Sequence, residues 1–410
     1  MNLKTSGSPT VFLGMSGGVD SSLSAVLLKE RGYNVVGVYM KNWSKDLPGM
    51  KCPWAEDLAD AKRVAVKLGI DFRVFDFETE YKQKVVDYML AEFKKGRTPN
   101  PDIMCNQEIK FKLFYEVSRE QGADFIATGH YARIGKLASE PNTPQPTQKF
   151  ETVKYLKTAV DENKDQTYFL YRISEDAIAH TIFPIGHLTK PEVKKLAEQK
   201  GLANAYKKES MGVCFVGDVG MDDFLREYFE ETPGPIIDVD SGEELGTHEG
   251  AIFYTIGQRH GLDLGGGLPY YVVKKDIDKN IIYVSRNLNN DNLWTTTLDL
   301  EDVVARCTVR GGKNISVSEH ARLARRAASS PREDGSEHRG FASANVFAPL
   351  NRAITVRLRH RAPLIPAKLI LSENNTATLI FDKPIKRPAA GQSAVFYSGD
   401  NCFGGGIIKA

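Results

Sequence analysis

Residues 14–22, "GMSGGVDSS", follow the apolar run Val11-Phe12-Leu13 and surround one aspartate with glycines and hydroxyls. A loop running from a strand into a helix leaves backbone N–H groups without intrahelical partners, and the helix dipole makes that end a site for anions. Gly17 and Gly18 allow close backbone approach, Ser16, Ser21 and Ser22 add hydroxyls, and Asp20 is placed to hold Mg²⁺ against phosphates. The loop lacks the closing Gly-Lys-Ser/Thr of a P-loop and the spacing of a Rossmann fingerprint, which argues against a kinase, a GTPase or a dehydrogenase. Two further strings carry one cysteine each: "KGRTPNPDIMCN" (95–106) and "KKESMGVCFVG" (207–217). Pro99 and Pro101 predict an extended loop before a helix over 103–118, which puts Cys105 in the first turn, where the dipole favours a thiolate. Asp102 stands beside it as a proton carrier or ligand. Cys214 lies in the apolar run 213–216. Taken singly, each cysteine reads more commonly as a buried packing residue.

The elements that must position these residues alternate. Apolar runs at 11–15, 35–39, 72–77 and 125–128 read as buried strands, and helical spacing covers 22–31, 54–68, 81–95 and 175–201. Strand and helix in alternation predict an α/β fold: an N-terminal parallel-sheet domain over 1–216 with helices on both faces. Residues 138–149 read as a polar, proline-bearing loop within it. A small central domain rich in turn residues is expected over 217–269. Short alternating strands from Tyr270 onward predict a C-terminal antiparallel β-barrel over 270–410, with a polar, Arg-rich insertion at about 311–340. A chain of 410 residues with 41% hydrophobic and 26% charged residues has enough apolar content for such cores. Its net charge of +2 neither requires nor excludes a polyanionic partner. Five cysteines, with no leader and no long apolar segment, predict reduced thiols in a cytoplasmic protein. Cys52, Cys307 and Cys402 lack zinc spacing, and neither H-E-x-x-H nor Gly-x-Ser-x-Gly occurs.

The string "SGGVDSS" resembles the PP-loop of the ATP pyrophosphatases (adenine nucleotide alpha hydrolase-like), which bind ATP there, adenylate a substrate oxygen and release pyrophosphate. With the two cysteine strings, and with "VYMKNW" (38–43), "ATGHYARI" (127–134), "NKDQTYFLYRI" (163–173), "FPIGHLTKPEVKKLA" (183–197), "FYTIGQRHGL" (253–262) and "GQSAVFY" (391–397), nearly the whole chain resembles the bacterial tRNA-specific 2-thiouridylases. That resemblance implies a sulfurtransferase that adenylates the C2 oxygen of the wobble uridine in tRNAs of the Lys, Glu and Gln type. Sulfur then replaces the oxygen, giving 2-thiouridine, AMP and pyrophosphate. It implies Cys214 as persulfide carrier, Cys105 as nucleophile, a transient Cys105–Cys214 disulfide, and Asp102 in catalysis. ATP would contact Gly14, Met15, Ser16, Gly17, Gly18, Val19, Asp20 and Ser21, with Met40 and Gly129. Asn100, Pro101 and Asp102 would meet the flipped-out base. His130, Lys164, Asp165, Gln166, Arg359, His360 and Gln392 match positions that touch tRNA, the barrel gripping the anticodon arm by shape and backbone. The sulfur donor would be a cysteine desulfurase or a sulfur-relay protein. Some relatives instead suggest an iron–sulfur cluster on the positions of Asp102, Cys105 and Cys214. The chain departs from the family in having Arg359-His360 where Arg-Tyr is common and Met211 where Thr is usual. Two other readings remain at this stage: an adenylating enzyme acting on a small carboxylate or nucleotide, which needs no cysteine pair, and a tRNA-binding protein without catalysis.

Overall fold

A computed structural model describes residues 7–46, 52–138, 152–207, 220–265, 267–308, 314–315, 352–372 and 374–409. Cys214, Met211 and most of the 138–149 and 311–340 stretches lie outside these residues. The N-terminal sheet comprises β1 (Thr10–Gly14), β2 (Asn34–Lys41), β3 (Asp71–Asp76), β4 (Phe125–Thr128) and the short strand Thr181–Ile182. All pairs are parallel, in the order β3-β2-β1-β4-(181–182). Continuous apolar runs suit the inner strands because helices cover both faces, and Val11, Phe12 and Leu13 are at most 1% exposed. After β1 the chain builds outward on one side to β2 and β3, then returns to place β4 on the other. Such a reversal leaves a crevice beyond the carboxyl ends of β1 and β4, where an α/β sheet binds its ligand.

Helices α1 (Val19–Glu30) and α2 (Trp54–Leu68) follow the predicted spacing, and α2 ends on Gly69 in the left-handed conformation. Three helical expectations need correction. The run at 81–95 is realised as Glu78–Tyr81, a π-helical stretch Lys82–Val86, and Asp87–Lys94. The helix expected from Ile103 starts at Pro101, whose missing N–H costs nothing at a helix start, and continues as a π-helix over Cys105–Leu113. Cys105 therefore stands beyond the first turn, where the dipole's effect has faded. The run from 175 to 201 breaks after Glu175–Ala179 and resumes at Lys190–Gln199. Pro184 cannot continue a helix, and the chain at Gly186 passes so close to Ala132 that a Cβ would lie 1.7 Å from its carbonyl oxygen.

A four-stranded sheet follows, in which Gly234–Asp238 pairs with Glu244–His248 and with Ile281–Ser285, and the last pairs with Tyr271–Asp276. The two strands at 271–285, expected to open the barrel, thus belong to the central sheet. Among the described residues the barrel has six antiparallel strands, in the order Trp294–Ala305, Thr376–Lys386, Ile365–Ser372, Arg352–Arg357, Ser393–Ser398 and Asn401–Ile408. Pairing of Leu300 with Ile408 through Ala305 with Gly404 closes it. Gly404 is needed at this seam, because a Cβ there would lie 2.1 Å from the Val304 carbonyl oxygen. The hairpin Arg133–Ala138 and Thr152–Lys157 reaches from the N-terminal domain to pair with the barrel at Asn401. One core cluster runs through all three parts, from Phe12 and Phe75 to Phe224, Val272 and Tyr397, while the barrel interior forms its own.

Candidate active site

The loop leaves β1 at Gly14 and enters α1 at Val19, with Gly18 extended at the cap and no side chain capping the helix. The first N–H groups of α1 are thus left for an outside partner. Gly17 needs its freedom: its φ is +75°, and a Cβ would lie 2.5 Å from the Asp57 carbonyl oxygen. Much of the hydroxyl set is spent inside the loop. Ser21 Oγ donates to Gly18 O (3.1 Å) and accepts from Ser16 N (3.3 Å). Ser22 is buried, donating to Gly18 O (2.9 Å) and accepting from Asn204 Nδ2 (2.8 Å), which also reaches Gly17 O. Ser16 alone of the three is exposed. Two carboxylates on α2 tie its start to the same region, since Lys207 Nζ meets Asp57 (2.8 Å) and Asp60 (2.5 Å).

Asp20 does not stand alone. Lys190 Nζ lies 2.8 and 2.9 Å from its two oxygens, and Tyr131 Oη donates to it at 3.0 Å. The Lys190 side chain is 8% exposed. Thr189 caps that helix in a capping box with Glu192, with Pro191 in the first turn. The signal T-x-x-E with proline marks this helix start in sequence, but nothing local says that its first lysine faces a loop 170 residues earlier. Lys190, Tyr131 and Asn204 are residues that sequence reasoning missed.

Gly14, Met15, Ser16, Asp20 and Ser21 line a pocket of about 280 Å³ together with Met40, Gly129, His130 and Gln166. The pocket sits at the crevice predicted by the strand order. Trp43, Cys52 and Trp54 supply an apolar wall, and Lys110 another side. Lys110 belongs to the helix that carries Asp102 and Cys105. Burial raises the Asp102 carboxyl above the usual carboxylate range, opposed by the Lys110 charge. Desolvation, aided by Lys110, holds His130 well below the usual imidazole range. His130 donates to or accepts from Thr128 Oγ1 at 2.8 Å and packs against Phe111 and Phe183. Cys105 is 2% exposed. Asn100 caps its helix, accepting from Ile103 N at 3.3 Å.

The residues matched to tRNA contacts divide. Lys164, Arg359 and His360 come together: Arg359 is exposed, and the charges of Lys164, Arg357 and Arg361 join burial in lowering the His360 imidazole to about 4. The His360 ring lies 4.5 Å from that of Phe169, so its stacking partner is internal. Gln166 faces the pocket lined by the glycine-serine loop and accepts from Tyr131 N at 2.8 Å. Asp165 is 2% exposed; it accepts from Ala159 N, Thr167 Oγ1 and Arg357 Nη1. Gln392 donates to Thr98 O at 2.7 Å. Asp165 and Gln392 therefore hold the fold together in this conformation. Among the described residues no three His, Cys, Asp or Glu side chains gather as metal ligands, and no helix is long and apolar enough to cross a membrane.

Three family models match in succession: a tRNA methyl transferase HUP domain over 9–218, a tRNA methyl transferase PRC-barrel domain over 222–286, and an aminomethyltransferase β-barrel domain over 342–408. The second ends where the central sheet ends. The chain is 41% identical to a tRNA-specific 2-thiouridylase MnmA of Lacticaseibacillus paracasei, over 98% of this chain and 94% of that protein. It is 42% identical to that of Idiomarina loihiensis, over 98% and 96%, and 40% identical to that of Listeria monocytogenes, over 97% and 94%. With the glycine-serine loop, its crevice and the three-domain order all in place, the chain belongs to the tRNA-specific 2-thiouridylase family.

Proposed function

We propose that this protein is an ATP-dependent tRNA-uridine 2-sulfurtransferase acting on the wobble uridine. One observation supports this most directly: the pocket lined by the phosphate-type loop is also lined by Lys110, on the helix bearing Asp102 and Cys105. A nucleotide on the loop would thus lie beside the helix that carries both groups. The uridine C2 oxygen is a poor leaving group. Its attack on the α-phosphorus expels pyrophosphate and converts it to AMP, which departs readily. The terminal sulfur of a Cys214 persulfide then attacks C2 and AMP leaves. The Cys105 thiolate attacks the inner sulfur, closing a Cys105–Cys214 disulfide and leaving sulfur doubly bonded to C2. A cellular reductant supplies two electrons to reopen the disulfide. Release of sulfide by Cys105 before attack on C2 gives the same product.

The chain's own groups have defined tasks in this reading. The N–H groups at the start of α1 and the Ser16 hydroxyl bind phosphate, and Lys190 neutralises charge beside them. Asp20 would hold Mg²⁺, which would neutralise the pyrophosphate leaving group. Asp102, raised by its buried setting, takes the proton lost from the base. Arg359 and Lys164 hold tRNA phosphates of the anticodon arm. A cysteine desulfurase or a sulfur-relay protein loads Cys214.

The test is nucleoside mass spectrometry of wobble-uridine tRNA incubated with the protein, ATP, Mg²⁺ and a persulfide donor, beside Cys214→Ser and Cys105→Ser. ATP-dependent 2-thiouridine, lost in Cys214→Ser, is expected. AMP formation on another acceptor with no 2-thiouridine from any donor would reject the reading.

A further inference from the structure

The segment that carries Asn100, Asp102 and Cys105 is gripped on both sides by one strand of the barrel. On the N-terminal side Arg97 lies between two carboxylates, 3.0 Å from buried Glu92 and 2.5 Å from Glu301 of strand Trp294–Ala305. The neighbouring Thr98 is fixed by three further contacts: its N–H donates to Ala390 O at 2.8 Å, its carbonyl accepts from Gln392, and its hydroxyl lies 3.2 Å from that of Thr255 in the central domain. On the C-terminal side Gln107 accepts from Arg172 Nε, and Arg172 Nη1 donates to Asp302 O at 2.8 Å.

Glu301 and Asp302 are consecutive, and they occupy an irregularity of the barrel seam. The pairing with strand Asn401–Ile408 shifts register between Glu301 and Val304, and Asp302 has a φ of 49°, a conformation an aspartate seldom adopts. Bulges of this kind redirect groups that a regular strand would point elsewhere. Here the bulge aims a carboxylate at one side of the Cys105 segment and a backbone carbonyl at the other.

We propose that the 301–302 bulge is a positioning device for the reaction centre. Resting on the 2-thiolation reading, this makes Arg97 and Arg172 positioning residues that act through Asp102 and Cys105. If these contacts only glued domains together, they would have no reason to converge on the stretch from Arg97 to Gln107. Because that stretch runs into the helix whose Lys110 lines the pocket, the barrel would set the rate of sulfur transfer as well as hold tRNA.

The experiment uses the full chain with Glu301→Ala, Arg97→Ala and Arg172→Ala, and the conservative Arg97→Lys and Arg172→Lys. Single-turnover 2-thiouridine formation is measured at saturating ATP and tRNA, with tRNA affinity and ATP KM measured separately. The alanine variants should lower the rate about tenfold or more, since misplacing a reacting group by about 1 Å can cost up to 10²-fold. KM for ATP and tRNA affinity should stay within twofold, and the lysine variants should recover part of the rate. Alkylation of Cys105, followed by peptide mass spectrometry, should accelerate in the alanine variants as the segment loosens. Unchanged rates at saturation, or losses confined to tRNA affinity, would overturn the proposal. If the wild type makes no 2-thiouridine, the functional reading fails on its own; faster Cys105 alkylation then still supports the bulge's hold on the segment, and unchanged alkylation rejects it.

Discussion

Gly129→Ala is a test of how the proposed nucleotide pocket is built. Gly129 follows β4 and lies against the turn where the loop becomes α1: a Cβ there would stand 2.8 Å from Ser21 N, 2.9 Å from Asp20 C and 3.1 Å from Ser21 Cα. These are backbone atoms within a helix start, so no side-chain rotation relieves the overlap. Carbon contacts are comfortable at about 3.5–4.0 Å, so the two segments must part by roughly 0.5–1 Å. Such overpacking costs about 1–3 kcal/mol. The displaced atoms belong to the N–H array proposed to face phosphate, so much of the cost should appear in nucleotide binding. A share of about 1.4–2.8 kcal/mol corresponds to a Kd raised about 10–100-fold. Calorimetric titration with a non-hydrolysable ATP analogue measures it, with Gly18→Ala as the comparison for stability. Gly18 has a φ of −82°, and its added Cβ would meet only Ser16 Oγ, at 3.5 Å. That variant should stay within about 1 kcal/mol of wild type, because the entropic gain of replacing glycine is opposed by the poor fit of alanine at the N-cap of α1. A Gly129→Ala protein that binds the analogue within twofold of wild type and melts like it would refute the reasoning.

Adjacent residues Lys164 and Asp165 should behave oppositely. Lys164→Ala should weaken tRNA binding and lower its salt dependence by about one counterion in a filter-binding series. Asp165→Ala strands Arg357 in a buried setting and should cost about 3–5 kcal/mol in denaturant unfolding, with the folded fraction binding tRNA normally. Asp102→Asn should abolish turnover yet raise the melting temperature at pH 7. A carboxyl whose folded pKa lies above its unfolded value binds more protons in the native state, so stability falls as pH rises between the two values, and the amide removes that loss. A melting temperature unchanged between acid and neutral pH in the wild type would contradict this. Lys190→Met should lower kcat/KM for ATP by about 10²-fold or more, read by pyrophosphate release, if its charge meets phosphate as proposed.

Local pattern was enough for the parallel sheet, for α1 and for α2, because apolar runs and helical spacing are properties of neighbouring residues. The loop was legible for the same reason: its glycines and hydroxyls do their work within a few positions. What escaped depends on distant contact. Asp165 sits in "NKDQTYF", a polar string that reads as exposed, and only the barrel's Arg357 and the Ala159 amide bury it. Tyr271–Asp276 and Ile281–Ser285 read correctly as strands, but alternation gives a strand without saying which sheet it joins. The π-helix around Cys105 differs from an α-helix by less than one residue per turn, which a pattern of apolar positions over nine residues does not resolve.

The most informative of the missed contacts is the pairing of Asp20 with Lys190. A lysine in the first turn of a helix is electrostatically misplaced, since the helix N-terminus already carries partial positive charge. Here helix Lys190–Gln199 packs beside α1, and Lys190 reaches Asp20 in the first turn of α1, which lines the pocket. Asp161 accepts from Lys190 N at 2.9 Å and Glu192 from Thr189 N, so the helix start has its own carboxylates, while the nearly buried ammonium meets Asp20. Burying a cation costs several kcal/mol unless an anion compensates, and a lysine serving stability alone would sit more favourably at a helix C-terminus. Under the proposed function, the Asp20–Lys190 pair lies where the nucleotide's phosphates would arrive. Their arrival would let Lys190 exchange a carboxylate partner for phosphate without ever being left buried and unpaired. Under that reading, the pair keeps both the ammonium and the carboxylate compensated until a nucleotide binds.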